Sequence, residues 1–231
     1  MQLLWDGLIE ASKTVAAFDP LVMHAALRTL WVSGLAVTLA ALVGVPLGTM
    51  LARVRFPGRQ FVVVICRGSM ALPTVFVGLV CYSLFSRGGP LGMMQLIYTP
   101  WAIVTGELLL ALPITASITH GAVMALDRRV GETAWTLGAG PLRRWCTFIS
   151  EARVGVTLAV LTAFARCASE LGIAMMVGGN IKGRTRTLAT ATALETGKGE
   201  LARAMAMGIL LTVIALLVTI VIVSLSRENR E

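Results

Sequence analysis

The chain has 231 residues, of which 56% are hydrophobic and only 14% are charged, whereas soluble domains hold about 25% charged residues. This deficit excludes a large soluble domain beside the apolar runs and indicates a protein that lies mostly in lipid. The net charge of +8 is dispersed and not interleaved with aromatic residues, so we do not expect nucleic-acid binding.

The first ten residues, MQLLWDGLIE, lack the basic start and the unbroken apolar core of a secretory signal. Apolar residues recur instead at helical spacing, at Leu4, Leu8, Ala11 and Val15. The pattern predicts an amphipathic helix over residues 1–20 that lies in the membrane interface.

Five apolar stretches are each long enough to cross a hydrocarbon core about 30 Å thick, which takes about 20 residues. We expect these membrane spans at residues 27–52, 60–85, 100–126, 154–177 and 204–225. The predicted fold class is therefore all-α, a polytopic membrane protein with five transmembrane helices plus the N-terminal amphipathic helix.

Lysine and arginine in the connections indicate the orientation, because cytoplasmic loops carry an excess of both. The first loop, the third loop and the C-terminal tail together hold ten such residues, and the opposite side holds eight. This modest bias predicts an outside N-terminus and a cytoplasmic C-terminus. It also predicts that the loop at 127–153 is cytoplasmic.

Pro46, Pro73 and Pro113 fall inside the first three spans and predict kinked helices. Gly44 and Gly48 form a pair of small residues that allows a neighbouring helix to approach closely. Kinks suit a pathway that opens and closes, but static packing is the commoner explanation for these prolines and glycines.

Charged residues inside spans are costly and are either paired or functional. Arg166 and Glu170 are four residues apart, so they share a helix face and have two interpretations. They form a structural ion pair, or Arg166 faces a translocation route for an anion. Arg67 either extends to the interface or lines the same route.

The predicted outer loop at 178–203 is the most polar region of the chain and is rich in threonine. One interpretation is a solvated loop. The other is a gate whose hydroxyls and cations suit an oxyanion, with Asn180, Thr185 and Thr187 as candidates. Residues 187–195 are predicted to form a short helix.

The loop at 127–153 is a polar segment between two spans, and Gly and Pro at 138–141 interrupt its helical pattern. We expect a short helix, a sharp turn and a second helix. Within it, Glu132-Thr133-Ala134, three residues and Gly138 resemble the EAA-x-x-x-G core of the cytoplasmic loop of ABC importer permeases. Thr133 replaces one alanine, and Ser150-Glu151 stands where that family has Leu-Pro.

The resemblance extends over nearly the whole chain. The segment SELGIAMMVGGN at 169–180 is similar to molybdate- and tungstate-type permeases. Its continuation IKGRTRTLATATALETGKGE at 181–200 resembles the tungstate type more, as do SRGGPLG at 86–92 and RFPGR at 55–59. The implied fold is the ABC importer (MetI-like) permease architecture, with one transmembrane domain at 21–231. The implied function is tungstate import, with molybdate or sulfate as alternatives.

The resemblance also implies a homodimer in the plasma (cell inner) membrane, resting on two ABC ATPase subunits. A periplasmic or extracellular oxyanion-binding protein would deliver the substrate. The residues that would couple the permease to the ATPase are Glu132, Thr133, Ala134, Leu137, Gly138, Ala139 and Gly140. The translocation or gate candidates are Arg67, Arg166, Glu170, Asn180, Thr185 and Thr187.

The sequence holds no phosphate-binding G-x-x-x-x-G-K-[ST] motif and no H-E-x-x-H or G-x-S-x-G motif. We therefore expect a transporter subunit and not an enzyme, with no cofactor and no metal site. An ion-gradient-driven anion carrier is the alternative from another class. It predicts an internal inverted repeat, and none is evident.

Overall fold

The computed structural model describes residues 5–6, 8–9, 12–13 and 20–228, the last four of these by backbone only. The part so described contains ten α-helices and no strand, which confirms the all-α class. The helices are α1 (Pro20–Arg53), α2 (Arg59–Ser69), α3 (Thr74–Phe85), α4 (Pro100–Met124), α5 (Arg128–Thr136), α6 (Pro141–Glu151), α7 (Arg153–Ala168), α8 (Gly172–Gly178), α9 (Leu188–Gly197) and α10 (Leu201–Glu228). The interfacial helix predicted at 1–20 lies largely outside the described residues.

Three of these helices, α1, α4 and α10, are long and apolar enough to cross a membrane alone. The pairs α2–α3 and α6–α7 pass the same test only together, and each pair is bent at a short break. The described residues therefore supply three spans, or up to five if each bent pair is one span.

Two of the predicted spans are broken in the structure. The stretch at 60–85 contains α2 and α3, because Pro73 has an extended backbone and precedes the first turn of α3. The stretch at 154–177 contains α7 and α8, separated at 169–171. Pro46 and Pro113, in contrast, lie inside continuous helices.

The chain divides into two compact units. The first unit comprises Met1–Ala36, Pro73–Leu108 and Ala165–Val218, and the second comprises Val37–Leu72, Leu109–Phe164 and Thr219–Glu231. Because α1, α4, α7 and α10 each contribute to both, the division does not follow helix ends.

In the first unit, α1 and α10 pack against α9. Val22, Ala25, Leu188, Ala191 and Met207 form a buried apolar cluster there. A side-chain contact fixes the start of α9, because the Leu188 amide donates to the Thr29 hydroxyl at 2.9 Å. The predicted outer loop thus contains a packed helix at Leu188–Gly197, as expected for 187–195.

In the second unit, α1 packs closely against α4 through the predicted pair of small residues. A methyl group on Gly44 would collide with the Thr115 side chain, and one on Gly48 would collide with the Ala116 carbonyl. Close packing therefore explains both glycines. Leu51, Val63, Cys66 and Ala116 form the adjoining buried cluster.

Candidate functional site

The first candidate site is the hairpin formed by α5 and α6 in the second unit, called here the α5–α6 hairpin (128–151). Asp127 caps the start of α5 by accepting a hydrogen bond from the Arg129 amide at 2.9 Å. Gly140 precedes α6, and Pro141 occupies its first turn, where its missing amide costs nothing. The predicted helix, sharp turn and second helix are confirmed.

The turn of the hairpin depends on Gly138, which has a φ of +75°. The Gly138 amide donates to the Trp135 carbonyl at 2.9 Å, and the Ala139 amide donates to the Ala134 carbonyl at 3.0 Å. This pair of bonds is the Schellman ending of a helix, which needs a left-handed residue at this position. Gly138 of the Glu132–Gly138 motif is thus the residue that ends the helix Arg128–Thr136.

The two arms of the hairpin are held together at Gly131 and Phe148. A methyl group on Gly131 would approach the Phe148 ring to 3.2 Å, so the glycine lets the two helices approach closely. On the same ring, the Arg53 guanidinium lies 4.5 Å from the centroid. Arg53 also donates to the Val123 carbonyl at 2.9 Å. The hairpin is therefore fixed to the end of α1.

Large apolar side chains project from this hairpin. Trp135 is 69% exposed, Leu137 is 81% exposed and Leu142 is 78% exposed. Beside them, a groove of about 510 Å³ is lined by residues that include Ala134, Leu137 and Ala139. A cluster of exposed apolar side chains on an otherwise polar hairpin is typical of a surface that binds another protein.

The structure places the predicted coupling residues differently within this hairpin. Glu132, Thr133, Leu137, Gly138 and Gly140 are exposed, whereas Ala134 is buried and Ala139 is partly buried. Sequence reasoning missed Trp135 and Leu142. The signal that could have found them is the presence of large apolar residues within a polar segment.

The second candidate site lies in the first unit, where α7 ends and α8 begins. Arg166 donates from Nη1 to Glu170 Oε2 at 2.7 Å, so the predicted pair is present. The side chain of Glu170 is 1% exposed and that of Arg166 is 41% exposed. Glu170 Oε1 accepts from the Ile173 amide at 3.1 Å, which stabilises the first turn of α8.

A buried carboxyl group that sequence reasoning left unassigned lies beside this pair. Glu107 is 1% exposed, and its side chain shares a hydrogen bond with Ser33. The Cys167 thiol contacts the Glu107 carbonyl oxygen at 3.7 Å. Within the described residues, Glu107 Oε2 has no hydrogen-bond partner. Only the folded structure reveals this cluster, because its members come from α1, α4 and α7.

The turn that follows α8 is held by polar side chains. The Thr185 hydroxyl donates to the Gly178 carbonyl at 2.6 Å and accepts from the Ile181 amide at 2.9 Å. Thr187 and Thr190 cap the start of α9 reciprocally. Since Thr185 and Thr187 are buried, their hydroxyls serve this turn.

For the remaining predicted residues, the structure shows no contact with the Arg166–Glu170 pair among the hydrogen bonds and ion pairs of the described residues. Arg186 donates to the Asn180 side-chain oxygen at 3.1 Å, and Asn180 has a left-handed backbone with φ of +50°. Arg67 is exposed in the last turn of α2, in the second unit, and it interacts electrostatically with His120. No group of three or more metal-ligating side chains occurs among the residues that the structure describes.

Known proteins resemble this chain over most of its length. It is 35% identical over 228 residues to the tungstate uptake system permease protein TupB of Peptoclostridium acidaminophilum, covering 99% of this chain and 100% of the relative. It is 32% identical over 184 residues to the molybdenum transport system permease protein ModB of Azotobacter vinelandii, covering 74% of this chain and 80% of the relative.

A solved structure has the same fold. The permease chain of the methionine ABC transporter MetNI in an inward-facing conformation superimposes with a TM-score of 0.75 at 18% identity, covering 93% of this chain and 99% of that chain. Residues 44–230 match the family described as the inner membrane component of binding-protein-dependent transport systems. With its apolar helices, this protein belongs to that family and is a multi-pass inner membrane permease.

Proposed function

We propose that this chain is the permease subunit of an ABC importer that moves tungstate into the cytoplasm. The observation that carries the importer mechanism is the exposed apolar tip of the α5–α6 hairpin. The 35% identity to a tungstate permease along 228 residues supports the substrate. As a family member the chain is a transporter subunit, and ATP is hydrolysed on a separate subunit.

The α5–α6 hairpin docks into a groove of that ATPase. Trp135, Leu137 and Leu142 enter the groove, and the Schellman turn at Gly138 keeps the tip rigid enough to transmit movement. Glu132 and Thr133 lie on the same exposed arm, while Ala139 and Gly140 form the turn. Arg143 and Arg144 contact either acidic groups of the ATPase or anionic lipid head groups.

The assembly is a two-fold homodimer on two ATPase subunits, supplied by an oxyanion-binding protein. Its transmembrane domain comprises residues 21–231. The N-terminus lies outside, and the hairpin and the C-terminus face the cytoplasm. The excess of basic residues in the first loop, the third loop and the tail supports this orientation.

The translocation route passes the exposed face of Arg166. Its charge attracts a dianion, and Glu170 fixes its position. Asn180, Thr185 and Thr187 shape the turn that closes the route on the outer side, where their polar groups hold the backbone. Arg67 is a further candidate for a residue that contacts the transported anion.

Uptake by the reconstituted complex tests this function. Permease, ATPase and binding protein are assembled in proteoliposomes, and uptake of tungstate, molybdate and sulfate is measured with and without ATP. We expect ATP-dependent tungstate uptake that needs the binding protein. A preference for molybdate would identify the alternative that the ModB relative supports. Uptake driven by an ion gradient without ATP would contradict the proposal.

A further inference from the structure

Arg166 keeps part of its side chain exposed on α7, which is apolar and long enough to cross a membrane only together with α6. Helical rise places it about 20 Å along α7 from Arg153, in a hydrocarbon core about 30 Å thick. Glu107 lies about 10 Å along α4 from Pro100. Cys167, the residue after Arg166, contacts the Glu107 carbonyl oxygen, so Arg166 and Glu107 lie at similar depths. Because a charged side chain facing lipid is very costly, the exposed 41% of Arg166 must face water or a second copy of the chain.

Glu170 is held from two sides at the start of α8. One carboxylate oxygen accepts from Arg166 at 2.7 Å, and the other accepts from the Ile173 amide at 3.1 Å. The carboxylate is therefore fixed by α8 and does not depend on Arg166 for its position. The Arg166 guanidinium, in contrast, lies at the end of a flexible side chain that is partly exposed.

The guanidinium of Arg166 retains unused hydrogen-bond donors. In the described part of the chain only Nη1 donates a hydrogen bond, while Nε and Nη2 donate none. An arginine side chain presents five N–H donors in a planar arrangement that matches a tetrahedral oxyanion. The exposed edge of Arg166 can therefore bind a dianion, but Glu170 already neutralises part of its charge.

We propose that Glu170 is a resident counter-anion of the transport route, which holds the Arg166 guanidinium while the route is empty and competes with the transported oxyanion for it. This inference rests on the proposed oxyanion transport. Its consequence is weak binding, because a substrate in a transport route must be able to leave as well as enter. Glu170 is in this sense a positioning residue that sets the affinity of Arg166.

The test is binding of radiolabelled tungstate to the detergent-solubilised permease–ATPase complex without the binding protein, measured by equilibrium dialysis. Glu170→Gln is the informative variant, because its amide oxygen still accepts from the Ile173 amide while the competing charge is lost. We expect its Kd for tungstate to fall about tenfold, because a tenfold change corresponds to the free energy of about one hydrogen bond to a charged group. We expect Arg166→Gln to lose measurable binding.

Uptake by the same variants adds a second readout. Glu170→Gln is expected to lower both KM and kcat, because an anion bound more tightly is released more slowly. A purely structural pair predicts the opposite pattern, a loss of folded protein or of uptake without any gain in affinity. Glu170→Asp, whose carboxylate reaches Arg166 less well, is expected to lie between the wild type and Glu170→Gln, and it carries the test if Glu170→Gln does not fold.

Glu195 provides a matched control within the first unit. Its buried carboxylate, on α9, also pairs with exposed cations, Lys198 at 2.8 Å and Arg203 at 3.8 Å. Glu195→Gln is expected to leave the Kd for tungstate unchanged. An equal gain in affinity in this variant would mean that net charge alone is responsible, and it would overturn the proposal.

Uptake by the wild type and binding by the variants distinguish a failure of this inference from a failure of the proposed function. If the wild-type complex takes up no oxyanion in proteoliposomes, the proposed function is wrong. If the wild type transports tungstate but Glu170→Gln and Glu170→Asp bind it with unchanged Kd, only the counter-anion role is wrong.

Discussion

The α5–α6 hairpin and the segment at 169–187 both interrupt apolar helices, but the hydrogen bonds of their backbone groups have different partners. In the hairpin, backbone groups close the turn at Gly138, and large apolar side chains remain outside. In the segment at 169–187, buried side chains bond to the backbone where the helices are interrupted. Glu170 accepts a hydrogen bond from the Ile173 amide, and Thr185 donates one to the Gly178 carbonyl.

This difference separates two kinds of function. A turn closed by its own backbone leaves its side chains available for a protein partner. A turn closed by polar side chains uses them for its own structure, so that little remains for binding except what stays exposed, such as Arg166. The three predictions below test this distinction, beginning with the largest expected effect.

Replacing Leu137 with aspartate is expected to reduce ATP-dependent uptake roughly tenfold or more, because the change removes an apolar contact and would bury an unpaired carboxylate in the interface. The side chain is 81% exposed, so the permease itself should fold normally. Uptake in proteoliposomes and co-purification of the ATPase measure the effect.

Met93→Asp is the matched control for this substitution. Met93 is 96% exposed and lies in the short 3₁₀ turn Gly92–Met94 of the first unit, which is not part of the hairpin. It should leave ATPase binding unchanged. Normal ATPase binding by Leu137→Asp would contradict the docking role of the hairpin.

Replacing Thr185 with valine, which has the same shape, is expected to lower the free energy of unfolding by about 2 kcal/mol. The change leaves the buried Gly178 carbonyl and the Ile181 amide without their partner. Thermal unfolding in detergent measures it. Thr192→Val should change stability by less than about 0.5 kcal/mol, because the Thr192 hydroxyl bonds only to the Leu188 carbonyl of its own helix. Equal effects at both positions would mean that Thr185 does not hold the turn.

Replacing Gly138 with alanine is expected to lower the free energy of unfolding by about 1 kcal/mol, because its φ of +75° is unfavourable for a residue with a Cβ. The added methyl group itself meets nothing within 4 Å. Gly140→Ala is the control, since Gly140 has a φ of −62° and equally open space. If both variants unfold at the same temperature, the turn does not depend on the left-handed backbone.

Several features were predictable from the sequence because they depend on local pattern. The all-α class follows from long apolar stretches, and the hairpin follows from the glycines and Pro141 between two helical patterns. The Arg166–Glu170 contact follows from a spacing of four residues on a helix. The short helix after 187 follows from its composition and is capped by Thr187 and Thr190.

Other features depend on contacts between distant segments and could not be predicted. The cluster around Glu107 joins Ser33 of α1, Glu107 of α4 and Cys167 of α7, which are far apart in the sequence. The exposure of Trp135 and Leu142 depends on how Phe148 and Arg53 orient the hairpin.

The sequence by itself determined that the chain is helical and that several stretches are apolar enough to cross a membrane, because periodicity and hydropathy are properties of neighbouring residues. It also carries the similarity that defines the family. The tertiary structure decided which polar groups are hydrogen-bonded within the protein and which remain available to a substrate or a partner. That distinction depends on burial and on hydrogen bonds such as those of Thr185, which only the packed chain creates.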